Sequence, residues 1–315
     1  MKKNILLETT GISKSFKDVL AVIDLNLEVH EGEIFGFLGT NGAGKSTSIN
    51  MICGLLRPDK GTITFKGSKI DPKDKTFSKR VGLCPQNILL WPKLTCFEQL
   101  VFSAQMYDVP YRAAKEFSLR LLTDMGLEEK KNKLAFTLSG GMQRRLNVIM
   151  ALVHDPEIVV LDEPEAGLDP QSRVLVRDYI RSLAGQKTVI LTTHNMDEAE
   201  RICDRIAIID HGKLLVTDTP DNLKRNVGKG DMLEMDILSD DIQQLRDMKN
   251  ELSSIVSETD IIEHTLVFRR RNIIDVLSLL LETIKSKGLR VGDVRLRENS
   301  LEDVFITLTG RRLRE

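Results

Sequence analysis

Eight residues, Gly39-Thr40-Asn41-Gly42-Ala43-Gly44-Lys45-Ser46, fit the pattern G-x-x-x-x-G-K-[ST] in full. Glycines at these positions let backbone N–H groups turn inward around phosphate oxygens, and a following helix adds the positive end of its dipole. Lys45, next to Ser46 and Thr47, can reach the outer phosphates, and the Ser46 hydroxyl can ligate a magnesium ion carried with a nucleotide. The pattern requires a strand before it and a helix after it. "EIFGFLG" and "KSTSINMICGLL" supply both, so the stretch implies a nucleoside triphosphate site.

Three further stretches have chemistry to offer. Val159-Val160-Leu161-Asp162-Glu163 puts two carboxylates at the end of an apolar strand: Asp162 suits a magnesium shell, and Glu163 can polarise an attacking water. His194 ends the next apolar run, "KTVILTTH", where an imidazole could meet a γ-phosphate or simply sit satisfied in the core. Leu138-Ser139-Gly140-Gly141-Met142-Gln143 is a second helix start, with Ser139 as cap and Met142, Leu146, Ile149, Met150 and Val153 as a stripe that Asp155-Pro156 stops. Two readings of it stand side by side. It is a capped helix whose glycines permit close packing, or its free N–H groups and hydroxyl await an anionic ligand.

These residues need elements to hold them. "EIVVLDE" and "KTVILTTH" are β-branched runs separated by a helical pattern, which predicts buried parallel strands with crossover helices and an α/β fold up to about residue 225. Near the start, Ile23, Leu25, Leu27 and Val29 alternate as a half-buried strand does. Between Gln86 and Leu138, "FEQLVFSAQMY" and "AAKEFSLRLLTDMG" have helical periodicity with no strand between them, so an inserted helical subdomain is expected over about residues 88–155. After the linker "NVGKGD", residues 231–315 read as a separate small α+β module in the order β-α-β-β-α-β plus a final helix, a ferredoxin-like pattern. In it "NIIDVLSLLLETIKSKG" is expected to begin on an asparagine cap and end on a glycine. "SLEDVFITLTG" is expected to carry a capping box at Ser300 and Asp303, with Leu301, Val304, Phe305 and Leu308 on one face.

Composition narrows the class. The 315 residues are 41% hydrophobic, enough for a sizeable core, and 45 basic side chains balance 46 acidic ones, so no overall field points to nucleic acid or anionic lipid. Apolar runs such as "VIMALV" fall well short of the roughly 18 residues that cross a bilayer. "MKKNILLETT" has too short an apolar run for a secretory leader. Cys53, Cys84, Cys96 and Cys203 lack paired spacing and the five histidines form no cluster, which predicts the reducing cytosol and neither a disulfide framework nor a zinc site.

Lys45, Gln86, "LSGGM", "LDEP", "GLDP" and His194, in this order, resemble the ATP-binding-cassette ATPases, and the resemblance covers roughly residues 4 to 225. It implies a P-loop NTPase core with a β subdomain and an inserted helical subdomain, hydrolysing ATP with Mg²⁺. It further implies that Ser139, Gly140, Gly141 and Met142 cap an ATP held by the phosphate loop of an opposite subunit in a head-to-tail homodimer. Phe16, in "SKSFKD", would stack on adenine, Gln86 would join Mg²⁺ to the helical subdomain, and Asp169, in "GLDP", would contact the partner subunit. Two departures stand out: Met142 occupies a place where glutamine is commoner, and Glu165 follows "LDEP" where threonine is commoner.

The closing "LEDVFITLTGRR" resembles the C-terminal domain of the daunorubicin-resistance type of exporter ATPase. The reading that results is the ATPase subunit of an export transporter, on the inner face of the cell membrane, with its membrane-spanning permease on separate chains and no nucleic-acid partner. A soluble cassette protein acting on DNA or ribosomes is the alternative. Those acting on DNA carry long coiled coils between the two glycine motifs, and the stretch from Lys45 to Ser139 is too short for them; those acting on ribosomes usually carry two cassettes, and one is present here. A sugar-binding tail is disfavoured, because Phe268 and Phe305 are its only aromatics and both fit core positions. Arg269 to Arg271 read as a solvated strand end.

Overall fold

The computed structural model describes residues 4–71, 75–228, 230–238, 242–256 and 258–310. Lys2 and Lys3 of the start, Lys229 of the linker, Asp240 and Asp241 of an expected helix and Arg311 and Arg312 of the closing motif lie outside the described residues. The chain divides into two units, one up to Thr219 and one from Pro220. The division thus falls ahead of the glycine linker.

The first unit opens with β1 (Ile5–Phe16) and β2 (Val19–His30), a long antiparallel pair, then β3 (Ile34–Leu38), α1 (Lys45–Ile52), β4 (Lys60–Phe65), β5 (Ser68–Lys69), α2 (Lys75–Ser78) and β6 (Val81–Cys84). Three longer helices follow within the stretch expected to be helical: α3 (Cys96–Met106), α4 (Tyr111–Asp124) and α5 (Gly140–Met150). The unit closes with β7 (Ile158–Asp162), α6 (Pro170–Leu183), β8 (Thr188–Thr193), α7 (Met196–Ile202), β9 (Arg205–Asp210) and β10 (Lys213–Asp218).

Two sheets result. One is antiparallel, in the order β2-β1-β4-β5; the other runs β10-β9-β3-β8-β7-β6, parallel except for the edge strand β10. Every residue of β3 is buried, as its unbroken apolar run requires for a strand covered on both faces. Ile49, Met51 and Ile52 of α1 pack with Leu7, Ile12 and Leu25 of the antiparallel sheet and Phe35, Phe37 and Val160 of the parallel one, making one core. The alternation expected at Ile23 slips. Asp24 takes a left-handed φ of 49° and the β1/β2 register shifts there, so Val22 is buried in place of Ile23.

The second unit has α8 (Pro220–Asn226), β11 (Asp231–Ile237), α9 (Ile242–Leu252), β12 (Glu258–Ile262), β13 (Thr265–Arg270), α10 (Ile274–Ser286), β14 (Val291–Arg297) and α11 (Leu301–Thr309). From β11 onward the element order is the expected one, and the four strands form an antiparallel sheet ordered β12-β13-β11-β14. Leu233, Met235, Leu266 and Phe268 pack under Leu245, Leu252, Leu280 and Ile284. The capping box at Ser300 and Asp303 is made, and Gly310 ends α11 in the left-handed region. The asparagine cap on α10 is not made: Asn272 takes a left-handed φ of 53° to turn out of β13, and the cap position falls to Ile273, which has no side-chain cap hydrogen bond.

Candidate functional site

The four parallel strands β3, β8, β7 and β6 all end on one edge of the sheet, and that edge collects the sequence candidates: the loop Gly39 to Gly44 after β3, Gln86 after β6, Asp162 and Glu163 at the end of β7, and His194 after β8. Ligands gather at such edges because the strand ends point backbone groups and loops into one crevice.

The glycine loop is shaped by close approaches. A Cβ on Gly39 would lie 2.3 Å from the Ile209 carbonyl oxygen, and Gly44 has φ of 101° with its Cβ position 2.4 Å from the Ala21 oxygen, so neither can be another residue. Ala43 is pinned, its N–H donating to Thr40 and its carbonyl accepting from Gly212, while Asn41 and Gly42 at the tip are exposed. Helix α1 starts on Gly44 with no side-chain cap, leaving the N–H groups of its first turn, at Lys45, Ser46 and Thr47, without a local acceptor. Lys45 is buried and its amine donates to the carbonyls of Gly39 (2.8 Å) and Thr40 (3.0 Å). Burial holds that amine below its ordinary pKa, against the pull of Glu163 and Asp162. A lysine folded into the loop's own carbonyls, beside uncapped N–H groups, is a cradle for a multiply charged oxyanion.

Facing the loop, Ser46 Oγ stands 3.5 Å from Asp162 Oδ2, and the other Asp162 oxygen accepts from Thr192 Oγ1. With the Gln86 side chain alongside, these are hard oxygen donors of the kind Mg²⁺ accepts when phosphate oxygens complete its shell. The residues present therefore fit a magnesium ion that arrives with its nucleotide.

Glu163 is the most constrained residue of the site. Its side chain is 9% exposed and its φ of 49° is left-handed, a conformation that costs a residue with a Cβ about 1–3 kcal/mol. One carboxylate oxygen meets His194 Nδ1 at 2.7 Å; the other accepts from Gln86 Nε2 at 3.4 Å. Its N–H donates to the Thr192 carbonyl and hydroxyl, both at 3.1 Å. The geometry joins three of the expected residues, Gln86, Glu163 and His194, around one carboxylate.

What the sequence reading missed is Arg144. It is 2% exposed, on α5 directly after the Ser139 motif, and its guanidinium donates to five main-chain carbonyls: Pro85 (3.0 Å), Gln86 (2.7 Å), Asp162 (2.7 Å), Glu163 and Pro164 (3.2 Å). That fork ties the helix of the second glycine motif to both segments carrying the site's side chains. Asn147, one turn on, holds the same segment through Leu89 N–H (3.1 Å) and Pro85. The apolar stripe gave no hint of either, because α5 is buried on more than one side.

The remaining candidates lie apart from this cluster. Ser139 caps α5, accepting from Met142 N–H at 3.3 Å, and Gly140 has open space around it. A Cβ on Gly141 would come within 3.3 Å of Asp169 and 3.2 Å of Ser172, so this motif packs on the start of α6, where Asp169 is itself a cap, accepting from Ser172 N–H at 3.0 Å. Those hydrogen bonds from the Ser172 backbone and side chain hold the Asp169 carboxyl below its usual range. Phe16 is half exposed at the end of β1, with the Lys14 amine 5.8 Å from its ring centre. All four cysteines are buried thiols. Among the described residues, no helix is long and apolar enough to cross a membrane.

Comparison with known proteins points to one family. The family model described as ABC transporter matches residues 22–166. The chain is 39% identical over 306 residues to the Nod factor export ATP-binding protein I of Burkholderia orbicola (strain AU 1054), covering 97% of each chain. It is 34% identical over 319 residues to the linearmycin resistance ATP-binding protein of Bacillus subtilis (strain 168), covering 98% of this chain and 100% of that one. Among solved structures, an ATP-binding subunit of an ABC transporter superposes with TM-score 0.64 at 28% identity, over 70% of this chain and 92% of that one. A dimeric ATP-binding cassette in a post-hydrolysis state, bound to ADP and Pi, gives 0.63 at 25%, over 68% and 98%.

Proposed function

This chain belongs to the ABC transporter family of ATP-binding proteins, and from that premise we propose that it hydrolyses ATP as one of two identical subunits driving an exporter whose permease is a separate chain. The observation that carries the hydrolytic part is the Glu163 carboxylate, buried, held in a strained conformation and placed 2.7 Å from His194, across from the Lys45 loop.

In this reading the N–H groups of residues 39 to 47 and the Lys45 amine bind the β- and γ-phosphates, and Phe16 stacks on the base. Ser46, Gln86 and Asp162 would hold Mg²⁺, which when bound would neutralise charge on the phosphate oxygens. Glu163 accepts a proton from the attacking water, and His194, bonded to it, orients the carboxylate and faces the γ-phosphate. Ser139, Gly140, Gly141 and Met142 cap the nucleotide of the second subunit, with Asp169 beside them at the dimer contact. Since each chain gives one half to each of two equivalent sites, two-fold symmetry closes the arrangement. ATP favours the closed dimer because both halves touch it only there, and a ligand shifts a population only through such differential contact.

The permease end is supported by a patch on the helical part of the first unit. Leu89, Trp91, Phe102 and Met106 are exposed, with the Trp91 and Phe102 rings edge to face at 5.3 Å, next to the segment that Arg144 ties to Gln86 and Glu163. A cluster of large apolar side chains in water marks a partner surface. Docking there would place the chain on the inner face of a membrane, and the name of the Nod factor export relative favours export as the direction.

The test is Glu163→Gln. ATP binding is expected to survive, turnover to fall by about 10²–10⁴-fold, and an ATP-bound dimer to accumulate on size exclusion. Unchanged hydrolysis would remove Glu163 from the mechanism.

A further inference from the structure

Glu165, three residues beyond Asp162 and 4% exposed, has no part in the proposed hydrolysis. Its carboxylate takes a two-pronged contact from Arg177 of α6, Nε to Oε1 at 3.2 Å and Nη2 to Oε2 at 3.0 Å, and Arg173 Nε lies 3.8 Å away. A second buried carboxylate, Glu198 of α7, is 5% exposed. One of its oxygens accepts from Thr193 Oγ1 at 2.7 Å, and the other is buried with no hydrogen-bond partner. The Thr193 hydroxyl in turn accepts from Asn195 N–H at 2.9 Å, and the Asn195 side chain caps α7 through Glu198 N–H at 3.3 Å. His194 is the residue inside that loop of bonds.

We propose that Glu165 and Glu198 form a positioning device for His194, in which Arg177 fixes Glu165 and Glu198, through Thr193 and Asn195, holds the segment that presents His194 to Glu163. The proposal rests on the assignment of Glu163 and His194 to hydrolysis. Its physical basis is that two carboxylates are buried but the Arg177 fork meets only one of them. Glu165 occupies the fork, so Glu198 keeps an unpartnered oxygen and a like charge nearby, an arrangement that favours its neutral form. Burial first, then Glu165, push the Glu198 carboxyl up from 4.5 to about 7; Thr193, Arg177 and Arg173 oppose them. Cys203, after α7, is the other titratable group facing it, and its own buried thiol is pushed up, so it stays neutral. Ionisation of Glu198 leaves a buried charge, only partly offset by Arg177 and Arg173 and with one oxygen unpartnered, on the residue bonded to Thr193, and opening the Thr193–Asn195 segment to water relieves it. Glu198 is a positioning residue: it reaches the reacting atoms only through His194.

The test follows hydrolysis and thermal unfolding of the full chain against pH in the wild type, Glu198→Gln and Glu165→Gln. Glutamine at 198 keeps the shape and the acceptor for Thr193 but cannot ionise. Wild-type turnover is expected to fall by about threefold or more between about pH 6 and about pH 8.5, with a step near 7. In Glu198→Gln that step should vanish, and in Glu165→Gln it should move to lower pH. A step that persists in Glu198→Gln overturns the proposal, and one that stays in place in Glu165→Gln removes Glu165 from it; should Glu165→Gln not fold, Glu198→Gln decides alone. Melting supplies a readout free of the chemistry. A carboxyl whose folded pKa is raised binds extra protons when folded, so its stability contribution is present at low pH and is lost as pH rises from 4.5 through about 7. That slope should be absent from Glu198→Gln. If the melting slope disappears while the rate step remains, Glu198 carries the proton but does not position His194. If Glu163→Gln still hydrolyses ATP, the hydrolytic assignment is what has failed.

Discussion

Two helices in this chain begin on glycine-rich turns, and they begin differently. Helix α1 starts on Gly44 with no side chain to cap it, a left-handed φ, and a buried lysine folded into the loop's carbonyls. Helix α5 starts on Ser139, which caps it from its own hydroxyl, and its glycines press one side against Asp169 and Ser172 while leaving Gly140 open. The first leaves N–H donors and an amine that an anion would complete. The second is already satisfied, so whatever binds it must share the serine with the helix. Uncapped N–H groups and a trapped amine make a strong site within one chain; a capped helix end makes a weaker face suited to closing over a ligand that something else holds.

Arg144 ties α5 to the segments that carry Gln86, Asp162 and Glu163, the second of which faces Ser46 of α1, and its removal is the largest effect expected. Arg144→Met keeps much of the side chain's volume but leaves buried carbonyls of Pro85, Gln86, Asp162, Glu163 and Pro164 without their donor. A buried acceptor left unpaired costs about 1–3 kcal/mol, so even with partial repair by water a loss of about 3 kcal/mol or more is expected in urea unfolding. A loss below about 0.5 kcal/mol would mean that the fork is incidental and that α5 is held by packing alone.

Next in size is Lys45→Ala. It strips the α1 end of its cation while leaving the glycine turn, and the lost charge-assisted bonds of about 1.5–3 kcal/mol correspond to about a 10–100-fold rise in the Kd for ATP. Tight nucleotide binding by that variant in calorimetry would break the comparison at its stronger side, since the loop would then bind anions without the group that distinguishes it from α5.

The difference between the two helix starts also explains what could be read in advance. The positions of the loop from Gly39 to Ser46, Asp162, Glu163 and His194 were legible because each is fixed by local chain geometry: a turn that only glycine allows, or a place at or just past the end of an apolar strand. The α/β order, the tail's strands and helices and the box at Ser300 followed from periodicity and caps for the same reason. Arg144 was not legible, because its partners are five carbonyls from two distant segments and main-chain acceptors leave no trace in side-chain spacing. The cap expected at Asn272 failed on a neighbouring fact of the same kind, since the residue was needed to turn the chain out of β13 with φ of 53°. Glu165 was visible as an oddity, yet its partner Arg177 could be named only once α6 was seen to lie against it.

The smallest effect separates the two roles of Ser139. Ser139→Ala removes the cap, whose hydroxyl accepts from Met142 at 3.3 Å, and should cost about 1 kcal/mol of stability, with nucleotide binding by the single chain unchanged because α1 and Lys45 are untouched. Ser139→Arg loses the same cap and adds bulk beside the open face of Gly140. If Ser139 is only a cap, the two variants should match in every assay. If it also faces a nucleotide held by a second subunit, Ser139→Arg should bind ATP as a monomer yet fail to dimerise with it, as read by light scattering, while Ser139→Ala should still dimerise, more weakly. Dimer formation by Ser139→Arg would reduce the second glycine motif to packing and leave one phosphate site in the chain where the comparison counts one and a half.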